Sequence, residues 1–164
     1  MLLRERKPNR IRNFNYSSSG YYFVTVCIKN REESFGKIVN NVWLNIPIHY
    51  QNVILDEFVI MSNHVHGIVV LKQLYRTVGT GQCPVPTINK NIKYGLISKI
   101  INGFKNATTK KIRYVYGEHS FGWQRSFYNH IIRNEQSLFA IRQYIKDNPS
   151  KWEDDRNNPE NLFR

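Results

Sequence analysis

The chain has 164 residues, a length that fits one domain spanning 1–164 with a sizeable core. Its 41% hydrophobic and 13% aromatic content excludes wholesale disorder. Lys and Arg number 24 against 12 Asp and Glu, and the formal charge of +12 attracts polyanions without deciding a fold.

The excess charge is unevenly placed. Residues 1–20 read as a basic arm, where Arg4, Arg6, Lys7, Arg10 and Arg12 face only Glu5, ending in a Ser-Ser-Ser-Gly turn. Leu2-Leu3 is followed at once by charge, so no secretory h-region is present, and no apolar run approaches the ~20 residues of a membrane span. A soluble, cytoplasmic protein is expected. The two cysteines, Cys27 in a strand and Cys83 in a loop, have no cysteine neighbour at metal spacing and imply no disulfide framework.

Tyr21 to Ile28 is rich in aromatic and β-branched residues and predicts the first strand. Ile38, Val42, Leu44, Ile46 and Ile48 predict a helix between about 37 and 50, with Pro47 ending it or starting its last turn. Val53 to Ile60 is a second strand. A Met-Ser-Asn turn joins it, as an antiparallel hairpin, to a strand that opens His64-Val65-His66-Gly67 and continues Ile-Val-Val-Leu. Side chains at i and i+2 of a strand share a face, so both imidazoles leave the sheet together. Such a pair is half a metal site, imidazole being the commonest protein metal ligand, but it also arises on ordinary half-buried strands.

Residues 77–90 carry two Gly and two Pro without periodicity and read as a loop. Ile92 to about Ile112 has apolar residues at 96, 97, 100, 101 and 104, the spacing of an amphipathic helix. Its polar face is assigned a second basic group, Lys99, Lys105, Lys110, Lys111 and Arg113, with no acid before Glu118. Trp123 to Ile132 predicts a further strand. Asn134 then caps a helix with apolar positions 138, 141 and 145, which ends at Asn148-Pro149 because proline disfavours helical geometry in the residue before it. Residues 150–164 form a comparatively acidic tail. The order strand–helix–strand–strand–helix–strand–helix fits an α+β, ferredoxin-like plan: an antiparallel sheet with helices on one face and a functional face opposite.

Three motifs occur in order: Ser62-Asn63-His64-Val65-His66-Gly67, Trp123-Gln124-Arg125-Ser126-Phe127-Tyr128-Asn129-His130-Ile131-Ile132-Arg133, and Tyr144-Ile145-Lys146-Asp147-Asn148-Pro149. Together they resemble the small HUH-type tyrosine transposases, in particular the REP-associated branch, over roughly residues 20–152. Ser62 departs from the proline usual before the His-x-His segment, which bears on turn rigidity more than on chemistry. The stretch between Gly36 and Val42 is also shorter than usual.

The resemblance implies cutting and rejoining of single-stranded or hairpin DNA in transposition or mobilisation of repeated elements. It makes Tyr144 the nucleophile, giving a 5′-phosphotyrosine and a free 3′-hydroxyl. A divalent metal, Mg²⁺ or Mn²⁺, would be held by His64, His66 and the amide oxygen of Asn148, one helical turn beyond Tyr144. Residue type alone leaves the choice of ion open. Tyr128, beside His130, competes for the nucleophile role, and a helix C-cap is the plainer reading of Asn148. A free tyrosine has pKa ~10, so about one phenol in a thousand is ionised at neutral pH and the site must supply the rest of the activation.

The basic arm together with Lys105, Lys110, Lys111 and Arg125 would contact DNA, binding single strands with a log–log salt slope of about −0.7 per phosphate contact. Related enzymes act as monomers or as homodimers that exchange tyrosine helices, so docking in cis or in trans stays open. Two other functions compete: a non-catalytic DNA-binding module on the same fold, and a hydrolytic metal nuclease in which water attacks. The second would want carboxylates near the histidines; Asp56 and Glu57 precede them on a strand whose facing is undetermined.

Overall fold

The structure, a computed structural model, describes residues 11, 14–29, 35–73, 75–76, 85–86 and 95–152. The five cations of the N-terminal arm, most of the 77–90 segment and the tail from residue 153 lie outside the described residues.

Four strands form one antiparallel sheet: β1 (Gly20–Cys27), β2 (Val53–Ile60), β3 (His64–Leu71) and, late in the chain, the strand Tyr128–Ile132. Between β3 and that last strand, β4 (Tyr75–Arg76) and β5 (Val85–Pro86) pair with each other in a separate two-stranded sheet. A short strand pair thus touches the segment read as pure loop. With Tyr128–Ile132 as β6, the sheet order is β2-β3-β1-β6, which the ferredoxin-like plan requires. The fold is α+β.

The first helical segment is broken where proline demands it. α1 (Gly36–Leu44) stops, and α2 (Ile46–His49) restarts with Pro47 in its first turn, where a missing N–H costs nothing. α3 (Leu96–Tyr116) begins later than its periodicity suggests, at Gly95, whose φ of 78° seats it against Tyr16. Its first N–H is capped from far away: the Leu96 amide donates to Ser17 Oγ at 2.9 Å. It ends at Gly117 in the left-handed conformation, whose amide donates to the Arg113 carbonyl. α4 (Glu135–Asp147) is capped by Asn134, whose side-chain oxygen accepts from the Ser137 amide at 2.8 Å.

α1 and α3 cover one face of the sheet. Tyr22, Val24 and Val26 of β1 and Val65, Val69 and Leu71 of β3 are buried there against Trp43, Ile97, Ile100, Ile101 and Phe104. Gly67 lets the Trp43 indole lie directly on the strand, since a Cβ there would come within 2.5 Å of Trp43 Cζ2. α4 crosses the opposite face, packing Leu138, Ile141 and Ile145 on Ile68, Ile132, Val59 and Val70. With both faces covered, β3 is buried along nearly its whole length, which explains its unbroken apolar run.

The predicted strand over 123–132 is interrupted. Trp123 forms an isolated bridge with Ile28, then a turn intervenes before β6 begins at Tyr128.

Candidate active site

His64 and His66 leave β3 on the α4 side with ring centroids 4.4 Å apart, as their spacing predicts. Each ring is oriented from behind. His64 Nδ1 meets Asn63 Oδ1 at 2.7 Å, an acceptor, which assigns the proton to Nδ1 and makes Nε2 the nitrogen that carries the lone pair a Lewis acid would take. His66 Nδ1 is 2.8 Å from Thr25 Oγ1, its register partner on β1, and the ring stacks on Phe23 at 5.5 Å. Both imidazoles are almost fully buried.

α4 carries Tyr144 to this pair. Its hydroxyl lies 3.3 Å from His66 Nε2, and the ring stands edge-on to Phe23, yet the side chain is 46% exposed and open to a ligand. Beyond the helix the chain continues in turns, and Trp152 packs over His64 with ring centroids 5.7 Å apart. Asn148 falls between these two contacts in the chain. It does cap the helix through its backbone, but its side chain is only 3% exposed and Oδ1 has no hydrogen-bond partner among the described residues. A buried acceptor left unpaired costs about 1–3 kcal/mol, so a cation at this position would offset a real penalty.

No cluster of three His, Cys, Asp or Glu side chains suited to a metal exists among the described residues. Among the described residues, the Asn148 amide oxygen is a candidate third donor beside the two imidazoles. Two imidazole nitrogens and one amide oxygen are a chemically reasonable set for a divalent ion that keeps open positions. The donor set fits.

A bulge in β2 determines how α4 is held. The register runs Leu55↔Val69 and resumes at Phe58↔Gly67, so Asp56 and Glu57 together oppose Ile68. Neighbours in a regular strand point to opposite faces. Here the extra residue brings both carboxylates to α4, where Arg142 grips Asp56 through Nε (3.1 and 3.2 Å) and a terminal nitrogen (2.6 Å), and Lys146 meets Glu57 at 3.0 Å. These acids are engaged with the helix, so they offer no carboxylate cluster to the histidines. Sequence reasoning overlooked the clamp, although its cations stand at the i, i+4 spacing on α4.

Tyr128, the competing tyrosine, shares the sheet row of Thr25 and touches Phe23 edge-on at 6.4 Å, but it stands two strands from His66, which Tyr144 contacts directly. Of the predicted DNA contacts, Lys110, Lys111 and Arg125 are exposed, while Arg4, Arg6, Lys7, Arg10 and Arg12 lie outside the described residues.

Lys105 is a correction. It is buried, its Nζ donates to the carbonyls of Gln124 (2.9 Å) and Ser126 (3.2 Å), and it lies 5.6 Å over the Phe127 ring. Burial pushes its ammonium below the ordinary lysine range. This side chain braces the turn before β6 instead of facing a phosphate. The signal was present: position 105 falls on the same stripe as buried 101, 104, 108 and 112.

No family model matches the sequence. An uncharacterized protein of Haemophilus influenzae is 35% identical over 173 residues, covering 94% of this chain and 93% of that one. Among solved structures, a REP-associated tyrosine transposase bound to a REP hairpin superposes with a TM-score of 0.61 at 20% identity, over 87% of this chain and 73% of that chain.

Proposed function

From a chain that belongs to one family with the Haemophilus influenzae protein and has the fold of a REP-associated tyrosine transposase, we propose a transposase-like enzyme that cuts and rejoins single-stranded DNA at Tyr144. The observation that carries this reading is the approach of the Tyr144 hydroxyl to 3.3 Å from His66, beside a second imidazole and an unpaired buried amide oxygen.

In this proposal Tyr144 Oη attacks the phosphorus of a phosphodiester. The new Tyr–O–P bond replaces the bond from phosphorus to the 3′-oxygen, which departs and takes up a proton as a 3′-hydroxyl. The phenol proton passes to solvent, to which Tyr144 is partly exposed. The product is a 5′-phosphotyrosine that keeps the energy of the broken linkage, so reversal by a 3′-hydroxyl rejoins DNA without ATP. His64 Nε2, His66 Nε2 and Asn148 Oδ1 would hold Mg²⁺ or Mn²⁺, which when bound withdraws charge from a non-bridging phosphate oxygen. Asn63 and Thr25 hold the two imidazoles in a fixed orientation, and Phe23 fixes the plane of His66. Exposed Lys110, Lys111 and Arg125 would neutralise the backbone.

The test is incubation with a labelled hairpin oligonucleotide and Mn²⁺, followed by a denaturing gel. A band of protein-linked DNA is expected, absent in Tyr144→Phe although that variant still binds DNA. His64→Ala and EDTA should each abolish it. Nicked DNA with no attached protein would favour the hydrolytic nuclease, and binding without any cleavage the non-catalytic module.

A further inference from the structure

The α4 face of the sheet is only partly covered. Register places Tyr128, Thr25 and His66 in one row across β6, β1 and β3, and His130, Phe23 and Ile68 in the next. α4 lies over Ile68, Val59 and Val70 and meets β6 at Ile132. Tyr128, at the other end of β6, is 51% exposed, His130 beside it is exposed, and Phe23 forms the floor between Tyr128 and Tyr144, touching both edge-on. An open aromatic shelf therefore adjoins the Tyr144 hydroxyl.

We propose that Tyr128, seated on Phe23, is a stacking subsite for an unpaired nucleobase adjoining the phosphate that Tyr144 attacks. The inference rests on the proposed function and adds the conformation of the substrate. Two strand spacings, about 10 Å, separate the β3 column of His66 from the β6 column of Tyr128. One nucleotide spans that distance from phosphate to base. The charge is complementary: residues 119–134 hold Arg125, Arg133, His119 and His130 and no acid, and both arginines are exposed. A base inside a duplex already has both faces covered by its neighbours, whereas a single-stranded base has a face to offer. The shelf thus selects against paired DNA at the cut without reading its sequence.

The experiment uses the uncleavable Tyr144→Phe protein and a REP-type hairpin oligonucleotide with single-stranded tails, in which an abasic site is moved through every unpaired position. Adding Tyr128→Ala should weaken binding of the intact oligonucleotide about tenfold, while Tyr128→Phe, which keeps the ring, stays within about twofold. One abasic position should cost the Tyr128 protein a similar factor and cost the Tyr128→Ala protein nothing. Equal losses for Tyr128→Ala on intact DNA and on every abasic oligonucleotide would overturn the proposal, as would Tyr128→Phe being as harmful as Tyr128→Ala. Because binding is read without chemistry, this coupling can hold while the covalent adduct is missing, and the adduct can form while the coupling is missing. The two readings therefore fail separately.

Discussion

Under α1 and α3 the sheet presents aliphatic and aromatic side chains and a bare glycine, and the helices pack against that surface. Under α4 it presents two imidazoles, a threonine hydroxyl and Phe23, and the helix returns a phenol and an unpaired amide. The first face can be dry and closely packed because it has no other task. The second must leave polar groups reachable, so its helix is held by a small apolar cluster and by two ion pairs at the β2 bulge. Stability and chemistry are thereby divided between the two sides of the same strands. β3 serves both, with Val65, Gly67 and Val69 turned one way and His64 and His66 the other.

The sharpest way to break this division is to damage the α1–α3 face. Trp43→Ala removes a fully buried indole and should cost about 3–5 kcal/mol in chemical denaturation, with Gly67→Val comparably harmful because its side chain would collide with that indole. On the other face, Ile145→Ala should cost about 2 kcal/mol, and amide exchange should rise selectively over residues 135–148. Cutting the ion-pair clamp should matter less to stability and more to function. Asp56→Asn, opposite a partly exposed Arg142, should cost about 1 kcal/mol or less, yet slow adduct formation severalfold, and the exchange Asp56→Arg with Arg142→Asp should recover part of the rate.

The smallest effect concerns Lys105. Its folded pKa is lowered by burial, so between that value and the unfolded value near 10.5 the unfolded chain binds more protons, and the stability contribution of this residue rises with pH. Lys105→Met should flatten that slope in denaturation curves taken from neutral pH to pH 10. An unchanged slope would show the ammonium to be solvated after all.

The parts of this arrangement that depend on local chemistry were legible in the sequence. β2 runs from Val53 to Ile60 as its residues predict, the His-x-His pair shares a face, and Asn134 caps α4. The parts that depend on partners distant in the chain were not. Ser17 caps α3 from 79 residues away, and nothing near Leu96 announces it. The β2 bulge is a property of pairing, so the common facing of Asp56 and Glu57 could not be read from either residue. Periodicity identifies the apolar stripe of α4 but not the sheet face that receives it. Lys105 was misplaced because its charge outweighed its position on a buried stripe. The candidate site followed from the three motifs, while the groups that orient it, Thr25, Asn63 and Phe23, required coordinates.

In the proposed reaction Tyr144, and no other side chain, becomes joined to DNA. Mass spectrometry of the trypsin-digested adduct tests it most directly, because cleavage after Arg142 and Lys146 isolates Gln143-Tyr144-Ile145-Lys146. A nucleotide mass is expected on that four-residue peptide and should be lost in Tyr144→Phe. The same mass on the peptide 126–133, which carries Tyr128, would contradict it.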